Sequence, residues 1–146
     1  MRYYLDTSAM VKRYIVEPGS DYIDGIFNSA FTGSDVVVTS YWNIGEAATV
    51  FDKFERRSKS TIAVKLLELM LDEFDYLSRS QMIELEGVSN SLLQEVIKMV
   101  IKHHIYISDA LQIATAKKVN TDIFLSSDRG LLCAASAEGM KTTQVG

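Results

Sequence analysis

The chain has 146 residues, of which 47% are apolar and 23% charged, with a net charge of −4 at pH 7. That size and balance fit one soluble domain with a proper core, and no apolar run reaches the roughly 18 residues of a membrane span. Cys133 is the only cysteine, which rules out an internal disulfide and suits a reducing cytoplasm, while the acidic total argues against nucleic-acid binding unless a divalent metal neutralises clustered acids.

Arg2-Tyr3-Tyr4-Leu5 reads as a buried strand running into Asp6-Thr7-Ser8. The acid at position six is foreign to a signal peptide. In open parallel sheets ligands sit beyond the carboxyl ends of the strands, which is where Asp6 falls. Asp6 also suits the cap of a helix starting near Ala9. Pro18-Gly19 marks a turn, and Ser20 or Asp21 caps a helix carrying Tyr22, Ile23, Ile26 and Phe27. After the break at Thr32-Gly33-Ser34, Asp35 to Thr39 is a β-branched strand buried on both faces. Ser40 caps a helix from about Tyr41 to Arg57.

The basic break Arg56-Arg57-Ser58-Lys59-Ser60 precedes a long helix, about Thr61 to Leu77. Its apolar residues cover more than one face, which marks deep burial or a shared surface. We read a helical hairpin with the preceding helix and a surface for self-association. Met82 to Leu85 is a short strand, and Ser89 caps a helix running to about Lys102. His103 and His104 are adjacent, so a surface or capping role suits them better than joint metal ligation. Ser108-Asp109 opens a helix from Ala110 to Val119. Ile123 to Leu125 is a strand ending in Ser126-Ser127-Asp128. Arg129 to Glu138 is a short helix ended by Gly139, and Lys141 to Val145 forms a weakly specified last strand. Strands alternating with helices imply an α/β layer fold with a mainly parallel sheet.

Four acids stand out: Asp6 after the first strand, Glu46 in the helix after the second, Asp109 before the fourth, and Asp128 after it. With parallel strands all four face one end of the sheet. Glu46 lies among small and apolar residues, with Trp42, Asn43, Thr49 and Val50 as its helical neighbours, rather than Lys or Arg. Gly45 beside it weakens the helix and is expected to mark a close backbone approach. Asp109 and Asp128 each also suit a helix cap. Like charges gathered this way call for a cation, and an all-oxygen set suits Mg²⁺ or Mn²⁺. No Cys/His set has zinc spacing.

On these residues the chain resembles the PIN-domain family of metal-dependent nucleases, and most of all the VapC toxins of prokaryotic toxin–antitoxin pairs. The matching stretches are Tyr4-Leu5-Asp6-Thr7-Ser8, Thr39-Ser40 leading to Glu46, Ser108-Asp109-Ala110-Leu111-Gln112-Ile113-Ala114-Thr115-Ala116, and Phe124-Leu125-Ser126-Ser127-Asp128-Arg129-Gly130-Leu131-Leu132. The resemblance implies a three-layer α/β/α domain over residues 1–146 with strand order 3-2-1-4-5. It implies a Mg²⁺ or Mn²⁺ site on Asp6, Glu46, Asp109 and Asp128, supported by Thr7 and Ser126. It further implies an RNA substrate cut to a 5′-phosphate and a 3′-hydroxyl, an antitoxin partner and a homodimer.

RNA is then expected to be held by Lys12, Arg13, Arg129 and the Arg56/Arg57/Lys59 cluster. The same family includes RNA-processing and structure-specific nucleases that are not toxins. A catalytically silent module that only binds a protein partner is the reading from another class. A haloacid-dehalogenase-like phosphatase would need a second Asp two residues after Asp6, where Ser8 stands.

Overall fold

The computed structural model describes residues 1–146. The first strand, β1 (Arg2–Leu5), is central, with β2 (Val36–Ser40) on one side and β4 (Ile123–Ser126) on the other. β3 (Ile83–Glu86) pairs outside β2, and β5 (Thr142–Gln144) outside β4. All pairings are parallel and the order is β3-β2-β1-β4-β5, as expected.

The register places like beside like. Tyr4 lies opposite Val38 and Phe124, and Leu5 opposite Leu125. Successive strand residues point to opposite faces, so each row serves a different core. Leu5, Val37, Ile83 and Leu125 pack with α1 (Thr7–Met10), α2 (Ser20–Phe31), α3 (Tyr41–Ser58) and α4 (Ala63–Arg79). Tyr4, Val38 and Phe124 pack with α5 (Asn90–His103), α6 (Ile107–Lys118) and α7 (Arg129–Ala137). The result is the expected three-layer α/β/α sandwich. The strand order reverses between β1 and β4, and the crevice beyond their carboxyl ends is where such folds bind ligands. No helix is long and apolar enough to cross a membrane.

Several local expectations are corrected. Neither Ser20 nor Asp21 caps α2: Gly19 does, in the left-handed region at φ 95°. The Ser20 hydroxyl instead donates to the Lys12 carbonyl at 2.7 Å. A Cβ at Gly19 would also collide with Val145 and Gly146, so the position needs glycine twice over. Gly45, by contrast, has open space around it, and no backbone approaches. α6 begins at Ile107, with Tyr106 at the cap position, so Asp109 lies inside the first turn.

The broad apolar sector of α4 resolves into a buried stripe and two flanks. At about 100° per residue, Leu66, Met70, Phe74 and Leu77 form the stripe, and all four are buried. Leu69 and Tyr76 fall on one flank, where Tyr76 meets Phe31 of α2 at 5.5 Å between ring centres. Val64 and Leu71 fall on the other flank. Lys65, Glu68, Asp72, Asp75 and Arg79 share the remaining face.

Candidate active site

Asp6 ends β1 and is only 6% exposed. Its carboxylate accepts hydrogen bonds from the Ala9 amide at 2.8 Å, from the Ser8 hydroxyl at 2.8 and 3.0 Å, and from the Ser126 hydroxyl at 2.6 Å. It therefore caps α1 and faces the crevice at once; the two readings are not alternatives. All these donors are neutral. Burial pushes the Asp6 carboxyl up to about 6, Glu46 nearby adds to the rise, and the hydrogen bonds only partly offset it.

Glu46 comes from α3 and accepts a hydrogen bond from the Thr7 hydroxyl. Asp109 comes from α6; burial first, then the charges of Asp128 and Glu46, raises its pKa. Asp128 caps α7, accepting from the amides of Gly130 at 2.7 Å and Leu131 at 3.1 Å. Asp6, Thr7, Ser8, Glu46, Asp109 and Asp128 line one hollow of about 510 Å³. Two layers and the sheet between them thus each contribute a carboxylate. Ser126 stays beneath the hollow, where its hydroxyl also accepts from the Asp128 amide at 2.9 Å and so links two of the acids.

None of the four acids is in an ion pair; every salt bridge of the chain lies elsewhere. The donor set is therefore all oxygen, negatively charged and without a counter-ion, which is the chemistry of a hard divalent cation. As they stand, no three of these side chains are arranged around a common ion position. The donor chemistry fits Mg²⁺ or Mn²⁺, and closing the carboxylates onto an ion takes side-chain movement.

The expected basic rim is largely elsewhere. Lys12 is buried and paired with Glu17 at 2.8 Å. Arg13 is paired with Asp24 at 2.8 Å and Glu73 at 2.9 Å, binding the turn after α1 to α2 and α4. Neither lines the hollow, so neither is free to hold RNA there. In the cluster at the end of α3, Arg56 is paired with Asp52. Arg129 is exposed at the start of α7 beside Asp128, and it donates to Gln144 at 3.3 Å.

Sequence reading missed two features. Ser8 holds Asp6 and also accepts from the Ser127 amide at 2.8 Å, tying β1 to the β4 end. Below the hollow lies a buried polar layer. The Tyr4 hydroxyl donates to Gln112 at 2.8 Å. The Asn43 amide donates to the Leu5 carbonyl at 3.1 Å and to the Thr39 hydroxyl at 2.6 Å. Tyr4 precedes Asp6 by two residues, Asn43 precedes Glu46 by three, and Gln112 follows Asp109 by three. Each therefore sits on the acid-bearing side of its own element. That spacing was the available signal.

Comparison with known proteins agrees with this architecture. The PIN-domain family model matches residues 3–136, and the chain belongs to that family. Among solved structures, it superposes on PAE2754 from Pyrobaculum aerophilum with TM-score 0.68 at 17% identity, covering 97% of this chain and 83% of that one. The sarcin–ricin loop-cleaving toxin VapC20 of Mycobacterium tuberculosis gives 0.67 at 20%, covering 97% and 98%. VapBC2 from Rickettsia felis, bound to a DNA fragment from its promoter, gives 0.67 at 16%, covering both chains fully at 100%. At these identities the likeness is one of fold. No curated protein matches by sequence at a significant level.

Proposed function

We propose that the chain is a divalent-metal-dependent endoribonuclease, the toxin of a VapBC-type pair. The observation that carries this reading is the hollow: Asp6, Glu46, Asp109 and Asp128 meet there from four separate elements with no basic residue among them. Mg²⁺ or Mn²⁺ is the proposed cofactor. Family membership supports the nuclease class, and the fold shared with VapC20 and VapBC2 supports the toxin assignment.

The four carboxylates would hold the metal. When bound, it would activate water and stabilise charge on a phosphodiester under attack. The chain's own residues do the positioning. Ser126 and Ser8 hold the Asp6 carboxylate from two sides, and Thr7 orients Glu46. Arg129, exposed beside Asp128, is the proposed contact for a neighbouring phosphate of the RNA. An antitoxin that covers the hollow would be drawn by its negative charge if it offered a basic side chain. Self-association through the exposed flanks of the α3–α4 hairpin belongs to the same reading.

The test is cleavage of a cellular RNA pool with Mg²⁺, with chelator, and with Asp6→Asn or Asp109→Asn. Cleavage should require the metal and both acids. Undiminished cleavage by both variants would move the chemistry away from this hollow. A silent binding module would cleave under none of these conditions.

A further inference from the structure

A second hollow, of about 490 Å³, opens beside the first and shares Asp109, Asp128 and Leu131 with it. Its other walls are His103, His104, Ile105 and Tyr106 from the α5–α6 turn and Gly130, Cys133, Ala134 and Ala137 from α7. No lysine or arginine lines it, so it is unsuited to a phosphate. Away from the shared Asp109 and Asp128, its lining is mainly apolar, with one phenol ring and two imidazoles.

Tyr106 is the unusual member. It is 83% exposed and stacks on no other aromatic ring of the chain. The backbone that carries it is nonetheless well defined. His104 ends α5 in the left-handed region at φ 54°, and Tyr106 itself is the extended cap of α6. Only Ile105 separates the two residues, so the ring is carried on a short turn fixed at both ends. Three residues on, in the first turn of α6, is Asp109.

We propose that this second hollow is a nucleobase pocket, in which one base of the RNA stacks on Tyr106 while its own or the adjacent phosphate lies at the carboxylates. The proposal deepens the ribonuclease reading and rests on it. A base suits the site because it is flat and largely apolar, and must lie within one nucleotide's reach of the phosphate being cut. Single-stranded RNA is commonly gripped by stacking of this kind. Each stacked base contributes about 1–3 kcal/mol, and an open site falls at the lower end, about a five- to tenfold change in binding.

Cys133 supplies the assay, because it is exposed, lines the hollow and is the only thiol. Labelling of Cys133 with fluorescein maleimide in Mg²⁺ is followed with the four 5′-mononucleotides and with ribose 5-phosphate. At least one mononucleotide should slow labelling severalfold, while ribose 5-phosphate, which lacks a base, should not. Tyr106→Ala should lose the protection and Tyr106→Phe keep it, since stacking needs the ring and not the hydroxyl. In RNA cleavage, Tyr106→Ala should raise KM about five- to tenfold with kcat within about twofold.

Equal protection by ribose 5-phosphate, or protection that survives Tyr106→Ala, overturns the pocket. A protein partner that needs Tyr106 while no mononucleotide protects Cys133 assigns the hollow to protein docking and overturns it too. Wild-type protein that cleaves no RNA refutes the ribonuclease reading, whereas the labelling result still decides the pocket by itself. Cleavage that is intact and indifferent to Tyr106 refutes the pocket alone.

Discussion

Asp6 shows how one side chain is fitted to two tasks. Its cap bond to Ala9 orders the chain's sharp turn from strand to helix, while its buried charge faces the crevice among neutral donors. The sign of its contribution follows from its pKa. The folded value, about 6, lies above the ordinary carboxylate value of 3.8. The folded state therefore binds more protons than the unfolded state between those limits, and stability falls as pH rises through that window. Asp6→Asn keeps a capping oxygen and removes the charge. In chelator at pH 7 it should stabilise the protein by up to about 3 kcal/mol, the gain fading toward pH 4. Denaturant unfolding across that range checks it. A loss of stability at pH 7 would mean that the carboxylate is better compensated than its neutral partners indicate.

At the scale of elements, α5, α6 and α7 are fastened at one point. Glu138, at the end of α7, bonds Lys102 at 2.7 Å and His103 at 2.6 Å from α5, and Lys117 at 2.6 Å from α6. These partners, the lysines foremost, hold its carboxyl at about 2, below its ordinary value of 4.5. The contribution is thus present above about pH 4.5 and is lost as pH falls through 2. The lysines are partly exposed, so solvent screens them. Glu138→Gln should cost about 1 kcal/mol at pH 7, with the difference from wild type shrinking in acid. Thermal melts at pH 7 and pH 3 would show it, and a constant difference would point to lost packing instead.

Elements are also the level at which the sequence was most informative. The acid after β1, the caps Ser40 and Ser89, and the strand–helix alternation announced the layers. The strand order came with the family resemblance rather than from local pattern. Helix starts were less readable. Ser20-Asp21 and Ser108-Asp109 both look like caps, yet Gly19 and Tyr106 occupy those positions because backbone geometry and distant partners decide them. Lys12 and Arg13 looked like free cations because Glu17, Asp24 and Glu73 reach them only in three dimensions. Asn43 and Gln112 share a helix face with Glu46 and Asp109, but their partners Leu5, Thr39 and Tyr4 likewise reach them only in three dimensions.

For the molecule as a whole, the carboxylates lie at the seam between the layers. Glu46 comes from the α1–α4 side, Asp109 from the α5–α7 side, and Asp6 and Asp128 from the sheet ends between them. An ion held there would join both layers, and binding to the folded state alone raises stability by about 2.7 kcal/mol at a concentration 100 times Kd. That corresponds to a rise in Tm of several degrees, at about 2–4 °C per kcal/mol for a domain near this size. The carboxyls must be ionised to take the ion, so the rise should be full at pH 8 and shrink as pH falls through about 6, where Asp6 gains its proton. Asp6→Asn should then be more stable than wild type in chelator and respond least to Mg²⁺. Melting curves of the two proteins, with and without the ion at each pH, separate a site in this hollow from ion binding elsewhere. An unaltered Mg²⁺ response in Asp6→Asn would place the ion outside the crevice.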